Sequence, residues 1–217
     1  MMKQAAIFDM DGLLFDTERL YQESWVEMAK QFGQVPSLGF PQDICGTSGA
    51  HSLAVIRKHY PEVDAQAFLD GGTARVAECA AEYLPIKPGA RELLDFLKGR
   101  RVRLAVASSS PLEMIMQNLG YAKMESYFDV IVSGRQVKNG KPKPDIFLKA
   151  AKMLGCAPKD CYVFEDGING VYAGIAAGCV TVMVPDLMQP TPDLRKQCTA
   201  VCTSLLEVRD RIAGNEL

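Results

Sequence analysis

The sequence predicts an α/β fold: a doubly wound, Rossmann-like parallel sheet with an α-helical cap domain inserted after the first strand. Three observations predict it. A short apolar strand opens the chain, a long stretch of purely helical pattern follows, and short apolar segments then alternate with helical patterns to the end. Strands that are apolar along their whole length and alternate with helices are typical of a parallel sheet covered on both faces.

The first predicted strand lies near Gln4–Phe8, and the helical pattern of the insert runs from about Glu18 to Glu82, with a connection rich in glycine and proline at residues 33–49. Apolar residues recur there at near-helical spacing. Trp25 and Phe32 belong to this pattern, so we expect them in the core of the insert. The predicted domains are therefore an α/β core of residues 1–15 and 84–217 and a helical cap of residues 16–83.

The second half of the chain supplies the remaining elements of the sheet and its helices. In chain order they are helix Ala90–Lys98, strand Leu104–Ala107, helix Leu112–Leu119, strand Val130–Val132, helix Ile146–Leu154, strand Tyr162–Phe164, helix Ile168–Ala177 and strand Thr181–Val184. From Thr191 to Leu217 the pattern predicts a polar connection and a final helix.

Composition excludes several classes of protein. Of the 217 residues, 48% are apolar and 23% are charged, and the formal net charge of −2 gives no basic excess for nucleic acid or a membrane surface. No apolar run is long enough to span a membrane, and no cleavable signal segment opens the chain. The seven cysteines are scattered, without a Cys-x-x-Cys pair, which indicates reduced thiols. We therefore expect a cytoplasmic protein, a monomer or a weak dimer.

Asp9 and Asp11 are the most informative residues of the chain. They follow the first strand two positions apart and precede Gly12. Alternate residues of a strand point to the same side, so the two carboxylates can share one site at the end of the strand. Close carboxylates repel each other unless a cation or a shared proton intervenes, and such a pair suits a nucleophile or metal ligand beside an acid/base group. A solvated turn would explain the same residues.

Further polar clusters follow strands or precede helices. They are Ser108-Ser109-Ser110, the segment from Lys141 to Asp145, and Glu165-Asp166-Gly167. The right-handed crossover rule brings the carboxyl ends of all the strands to one edge of the sheet, where ligands of such folds bind. Each cluster alone has a structural explanation as a helix cap or a solvated charge, but their combination at successive strand ends indicates a site.

The chemistry that these residue types favour is phosphoryl transfer. Carboxylates from two loops can hold Mg²⁺ in an oxygen shell, and a lysine adds a second positive charge. Serine hydroxyls and the backbone N–H groups at a helix N-terminus bind phosphate oxygens.

With these motifs in place, the chain resembles the haloacid dehalogenase superfamily of phosphatases, in the subgroup with a helical cap after the first strand. The matching motifs are residues 9–17 (DMDGLLFDT), 107–110 (ASSS), 141–145 (KPKPD) and 164–170 (FEDGING). They occur in order and cover the whole predicted core. One small departure is Gly167, where serine or alanine is common in the family.

The resemblance implies a Mg²⁺-dependent phosphatase that forms an aspartyl-phosphate on Asp9, with Asp11 as the general acid and then the general base. It implies Ser108, Ser109 and Lys141 as phosphate-binding residues. The implied metal ligands are Asp9, the backbone carbonyl of Asp11, and Asp166, with Glu165 acting through water. Lys143 adds a second positive charge, and the choice of Lys141 rests on the resemblance.

The substrate is expected to be a small phosphorylated metabolite, a sugar phosphate or a nucleoside monophosphate, selected by the cap. Thr17, at the junction with the cap, and Thr47 and Ser48, in the polar loop of residues 46–51, are the candidate cap residues. His51, in that loop, is interpreted as a surface or helix-capping residue rather than a substrate ligand, and His59 as a surface residue.

Two alternatives remain open at this point. A phosphomutase of the β-phosphoglucomutase type shares all four motifs, but it needs a basic cap residue. The loop 46–50 offers none, and Arg57, Lys58 or Arg75 would have to take that place. A catalytically silent regulator that binds a phosphate ester is the non-enzymatic alternative, although all four motifs retain their reactive residues. A third reaction, hydrolytic dehalogenation, would not require Asp11 or Asp166, so the presence of both residues disfavours it.

Overall fold

The computed structural model describes residues 2–45, 47 and 49–217. Among these residues, the strands are β1 (Ala5–Phe8), β2 (Arg103–Ser108), β3 (Val130–Ser133), β4 (Cys161–Glu165), β5 (Val180–Met183) and β6 (Ala200–Val201). The α-helices are α1 (Thr17–Gln31), α2 (Phe40–Ile44), α3 (Ala50–His59), α4 (Ala65–Glu82), α5 (Ala90–Gly99), α6 (Leu112–Ala122), α7 (Asp145–Met153), α8 (Ile168–Ala177), α9 (Pro192–Gln197) and α10 (Leu205–Ala213). Short 3₁₀ turns occur at Glu125–Tyr127, Gly134–Gln136 and Pro158–Asp160.

The chain divides into two compact units. The sheet unit comprises the residues up to Phe15 together with Ile86–Leu217, and the helical unit comprises Asp16–Pro85.

All six strands of the sheet unit lie in one parallel sheet with the order β3-β2-β1-β4-β5-β6. The predicted doubly wound parallel fold is therefore confirmed. Strand β1 is central because the chain adds β2 and β3 on one side of it and β4 to β6 on the other. In folds of this kind the ligand site lies where the strand order reverses, beyond the carboxyl ends of the central strands.

The strands are apolar because helices cover the sheet. Every residue of β1 and β4 is buried. Helix α7 packs against α8 and against β1, β2 and β3, while α5 packs against α10 and β2. The core between α7, α8 and the sheet is built from small and branched side chains such as Ile7, Val132 and Val163, together with Phe147.

Strand register brings the predicted motifs together. Phe8 of β1 pairs with Val106 of β2 and with Phe164 of β4. The residues just beyond these three positions are therefore neighbours at one edge of the sheet, although more than 150 residues of chain separate the first strand from β4.

Helices α1 to α4 form the helical unit around an aromatic core. The rings of Trp25 and Phe68 stack with centroids 6.0 Å apart, and Phe40 contacts both rings edge-on. Phe32 packs at the periphery of the same cluster. The prediction that Trp25 and Phe32 are core residues of the insert is confirmed.

Some short elements were missing from the prediction. Helix α2 lies inside the predicted connection at residues 33–49, with Pro41 in its first turn. Helix α9 and the two-residue strand β6 lie in the predicted polar connection, where β6 pairs with β5. Such short segments carry too few residues for a periodic pattern, and tertiary pairing forms them.

The interpretation of His59 as a surface residue was wrong. Its side chain is 13% exposed, and its Nε2 lies 2.8 Å from Oδ2 of Asp43. His51 is exposed. Within the described part of the chain, no helix has the length and apolar character needed to cross a membrane.

Candidate active site

Three strand ends and one loop build the site in the sheet unit. Asp9 follows β1, Ser108 ends β2, Glu165 ends β4, and Lys141 lies in the loop before α7. The amide of Asp9 donates to the carbonyl of Phe164 at 3.0 Å, which continues the pairing of β1 and β4 beyond the last strand residue. The site therefore lies at the edge of the sheet where ligands of this fold bind.

Lys141 is the centre of a buried ionic network. Its Nζ donates to Oδ1 of Asp9, to Oε1 of Glu165 at 2.6 Å and to the carbonyl of Ala107 at 3.1 Å. The side chains of Lys141, Asp9 and Glu165 are only 8%, 9% and 3% exposed. Lys143 is exposed, so geometry distinguishes the two lysines that sequence alone could not separate.

Burial and the excess of acidic groups over lysine shift the pKa values of Asp9 and Lys141. Burial raises the pKa of Asp9 to about 8; Lys141 opposes this rise, while Glu165 and Asp11 add to it. For Lys141, burial acts to lower the pKa, but the ion pairs with Asp9 and Glu165 outweigh it and hold the pKa above its ordinary value. Lys141 is therefore a permanent cation of the site at neutral pH.

Glu165 is fixed from two sides. Its Oε1 accepts from Lys141, and its Oε2 accepts from the amide of Gly167 at 2.9 Å. A Cβ atom at Gly170, in the first turn of α8, would lie 1.6 Å from Oε1 of Glu165. This need for glycine at position 170 was not predicted from the sequence. The pairing of Glu165 with Lys141 was also not predicted.

The acidic side chains fit a hard divalent cation. Asp9, Glu165 and Asp166 each offer a carboxylate oxygen, and these oxygens lie within 4.8 Å of one another. Clustered carboxylate oxygens are the donor set that Mg²⁺ prefers. Lys141 supplies only one positive charge for these three acidic groups, so a bound cation would offset their repulsion and favour the ionised form of Asp9, whose pKa burial raises.

Gly12 allows Asp166 to approach the loop after β1. Its φ is +81°, and a Cβ atom there would lie 2.3 Å from Oδ2 of Asp166. Both the left-handed backbone and the close contact require glycine. The Asp-x-Asp-Gly sequence therefore contributes its glycine to the site as well as its two carboxylates.

Asp11 is held by Ser108, the last residue of β2, and by Ser110, in the loop that follows. The hydroxyls of Ser110 and Ser108 donate to its Oδ2 at 2.8 and 3.2 Å. The Ser108 hydroxyl also accepts from the amide of Ser110 at 3.0 Å. Ser108 and Ser109 were predicted from the sequence as site residues, but Ser110 was not. The spacing could have indicated Ser110, because it lies two positions after Ser108 and alternate residues of an extended segment can point to the same side.

The remaining candidate residues are Ser109, Thr17, Thr47 and Ser48. Ser109 lies in the same loop and is exposed. Thr17 is the buried first residue of α1. Thr47 donates its hydroxyl to the carbonyl of Ile44 at 2.7 Å and lies 2.9 Å from the hydroxyl of Ser52. Ser48 lies outside the described residues.

Known proteins are similar to this chain in sequence and in fold. The family model of haloacid dehalogenase-like hydrolases matches residues 3–178. The phosphorylated carbohydrates phosphatase of Thermotoga maritima is 38% identical over 81% of this chain and 82% of its own length. Hexitol phosphatase B of Escherichia coli is 30% identical over 83% of each chain. The crystal structure of a haloacid dehalogenase family hydrolase from Deinococcus radiodurans with bound phosphate and sodium is 27% identical, with a TM-score of 0.80 over 99% of this chain and 96% of that chain.

The fold, the motifs and these relatives define the class of the protein, which is that of a phosphatase. More particularly, the chain belongs to the haloacid dehalogenase-like hydrolase family. The resemblance seen in the four sequence motifs is thereby confirmed.

Proposed function

We propose that this protein is a Mg²⁺-dependent phosphatase that hydrolyses a small phosphorylated metabolite through an aspartyl-phosphate on Asp9. The observation that carries the proposal is the buried network in which Lys141 binds Asp9 beside Glu165 and Asp166. A carboxylate that attacks a phosphate dianion needs nearby positive charge, and this network supplies a fixed ammonium and ligands for a cation.

In the first step, an oxygen of Asp9 attacks phosphorus, and the bond from phosphorus to the ester oxygen breaks. Asp11 donates a proton to that leaving oxygen. The hydrogen bond from Ser110 to Oδ2 of Asp11 holds the carboxyl group in place for this transfer, while the single O–H of Ser108 turns from Asp11 to the phosphoryl group. The hydroxyl of Ser108 and the amide of Ser109 bind the transferring phosphoryl group, and the charge of Lys141, whose three N–H groups already have acceptors, offsets the negative charge of that group.

In the second step, Asp11 takes a proton from a water molecule, whose oxygen attacks the phosphorus of the aspartyl-phosphate. The bond between phosphorus and Asp9 breaks, which releases inorganic phosphate and regenerates the carboxylate. Asp11 thus donates and then accepts one proton in each turnover.

Asp9, Asp166 and the backbone carbonyl of Asp11 would hold the cation, with Glu165 acting through water. When bound, Mg²⁺ would supply positive charge to the phosphoryl oxygens and to Asp9. Oε1 of Glu165 accepts a hydrogen bond from Lys141, and Oε2 accepts one from the amide of Gly167. Glu165 is therefore held in place and also orients Lys141.

The substrate class that we propose is a sugar phosphate or a nucleoside monophosphate. The names of the relatives, a phosphorylated carbohydrates phosphatase and a hexitol phosphatase, favour the first. The helical cap of residues 16–83 would select the substrate, with Thr17, Thr47 and Ser48 as its candidate residues, because the core residues bind only the phosphoryl group. A cytoplasmic location and a monomer or weak dimer remain predictions.

Phosphate release from a panel of sugar phosphates and nucleotides, with Mg²⁺ and with a chelator, tests the proposal. We expect metal-dependent release and a ranking led by sugar phosphates. Conversion of hexose 1-phosphate to hexose 6-phosphate, primed by a bisphosphate and without net release, would identify a phosphomutase instead. Neither reaction in the folded protein would contradict an enzymatic function and favour a regulator that binds a phosphate ester.

A further inference from the structure

Asp186 has one carboxylate oxygen that is paired and one that is not. It follows β5 in the sheet unit, and its Oδ1 accepts from Nζ of Lys87 at 2.8 Å. Its Oδ2 is buried and has no hydrogen-bond partner among the described residues. Buried carboxylate oxygens are almost always hydrogen-bonded, so an orphaned one indicates a donor, a water or an ion, that completes the site.

The unpaired oxygen lies beside the candidate metal ligands. A Cβ atom at Gly12 would lie 2.3 Å from Oδ2 of Asp166 and 3.4 Å from Oδ2 of Asp186. The two carboxylates therefore approach the same backbone position, and Asp166 is one of the three clustered acids. Carboxylate oxygens only accept hydrogen bonds, so Oδ2 of Asp186 needs a donor from outside this pair of carboxylates.

A water molecule bound to a divalent cation is a suitable donor. A cation polarises its bound water and strengthens its O–H groups as donors, and Mg²⁺ in particular keeps several of its waters when it binds to proteins. Residues that accept hydrogen bonds from metal ligands orient those ligands and raise metal affinity.

We propose that Asp186 is a positioning residue of the metal site: its Oδ2 accepts a hydrogen bond from a water in the hydration shell of the cation, while Lys87 holds Oδ1. This inference rests on the proposed function, because it requires a cation at Asp9 and Asp166. Glu165, at the end of β4, and Asp186, after β5, would then act on the cation from different strand ends, and of these two carboxylates only Asp186 has an oxygen without a partner among the described residues.

A purely structural role makes a different prediction. The amide of Lys87 donates to the carbonyl of Leu14 at 2.9 Å, and Phe15 forms an antiparallel bridge with Ile86. The ion pair between Lys87 and Asp186 could merely fasten this segment to the loop after β5. In that case, loss of Asp186 would lower the melting temperature without changing metal affinity.

The test is titration calorimetry with Mn²⁺ alone, in the absence of substrate, on the wild type and on Asp186→Asn. Asparagine has one acceptor oxygen, so it can accept either from Lys87 or from the water, but not from both. We expect the dissociation constant for Mn²⁺ to rise about 10- to 100-fold, the usual effect of losing such a contact. The Mg²⁺ concentration that half-saturates phosphate release should rise in parallel, with kcat largely recovered at saturating Mg²⁺.

The matched control is Asp193→Asn, an exposed aspartate in the first turn of α9 whose side chain is 86% exposed. It removes the same charge from the same unit and should leave Mn²⁺ affinity unchanged. Lys87→Met should weaken Mn²⁺ binding several-fold, because Asp186 then loses the group that holds it. If Asp186→Asn does not fold, the Mn²⁺ affinity of Lys87→Met tests the role of Asp186 instead.

The outcomes separate this inference from the function on which it rests. Unchanged Mn²⁺ affinity in the folded Asp186→Asn protein, or in Lys87→Met as its substitute, would overturn the role of Asp186 and leave the phosphatase intact. A wild-type protein that binds no Mn²⁺ would overturn both the inference and the proposed metal dependence.

Discussion

Gly170 and Glu165 are so close that no side chain can be added to the glycine. A Cβ atom at position 170 would lie 1.6 Å from Oε1 of Glu165, the oxygen that accepts from Lys141. The first turn of α8 thus fixes the carboxylate that holds the central lysine of the site.

Gly170→Ala should therefore impair activity much more than it impairs folding. Alanine favours the helix, but its methyl group must displace Glu165 and with it Lys141. A displacement of about 1 Å in such a site can cost about a hundredfold in rate, and we expect a loss of kcat/KM of that order. Steady-state phosphate release measures it.

Gly167→Ala is the matched control for Gly170→Ala. Its backbone has a φ of −97°, which alanine adopts, and a Cβ atom would lie at an ordinary 3.6 Å from Oε2 of Glu165. Activity near that of the wild type is expected. Equal losses in both variants would contradict the role given to the contact at position 170.

Gly12→Ala should weaken metal binding as well as stability. The left-handed backbone at Gly12 costs about 1–2 kcal/mol for a residue with a side chain, and the methyl group would displace Asp166. Gly178→Ala, at the end of α8, has a φ of +77° and open space around it, so it should cost stability alone. Chemical denaturation and Mn²⁺ titration of both variants separate the two effects. Similar Mn²⁺ affinities in the two would contradict the contact.

Ser110→Ala should lower kcat, because Ser110 makes the shorter of the two hydrogen bonds to Asp11. A hydrogen bond to a charged group contributes about 1.5–3 kcal/mol, so a loss of at least about tenfold is expected. Ser109→Ala keeps the amide that is proposed to bind phosphate and removes only an exposed hydroxyl. It should stay near wild-type activity. A larger loss in Ser109→Ala than in Ser110→Ala would refute this assignment.

Cys161 and Cys179 should resist alkylation in the native protein. Burial raises the pKa of each thiol to about 12, and for Cys161 the neighbouring Cys179 and Cys156 thiols add to the rise. At pH 8, roughly one such thiol in ten thousand is a thiolate, the reactive form. Mass spectrometry after brief iodoacetamide treatment should find both unmodified in the native protein and modified in denaturant. Rapid native labelling of either would show that its surroundings are more open than described.

The sequence predicted the main strands and the edge of the sheet where the polar residues gather, because apolar strands and crossover connections leave few arrangements. It also predicted Asp9, Asp11, Lys141, Glu165 and Asp166, which the structure brings to that edge. Choosing Lys141 over the nearby Lys143 required the resemblance, since two lysines in one loop look alike until the backbone orients them.

Contacts between distant segments could not be predicted. The bond from Ser110 to Asp11, the approach of Gly170 to Glu165, and the ion pair of Lys87 with Asp186 join residues from different elements. No local pattern marks such pairs, because only the packed sheet sets the distance between them. Strand β6 was not predicted for a related reason, because its two residues form a strand only by pairing with β5.

The most direct test of the central claim is phosphate release by Asp9→Asn, measured on the best substrate of the panel at saturating Mg²⁺. Asparagine keeps the size of Asp9 and an oxygen that can accept from Lys141, but it is not a nucleophile. The predicted result is a loss of more than about a thousandfold, with an unchanged melting temperature and with Asp193→Asn fully active. Activity within tenfold of wild type in the folded Asp9→Asn protein would contradict the assignment of Asp9 as the nucleophile.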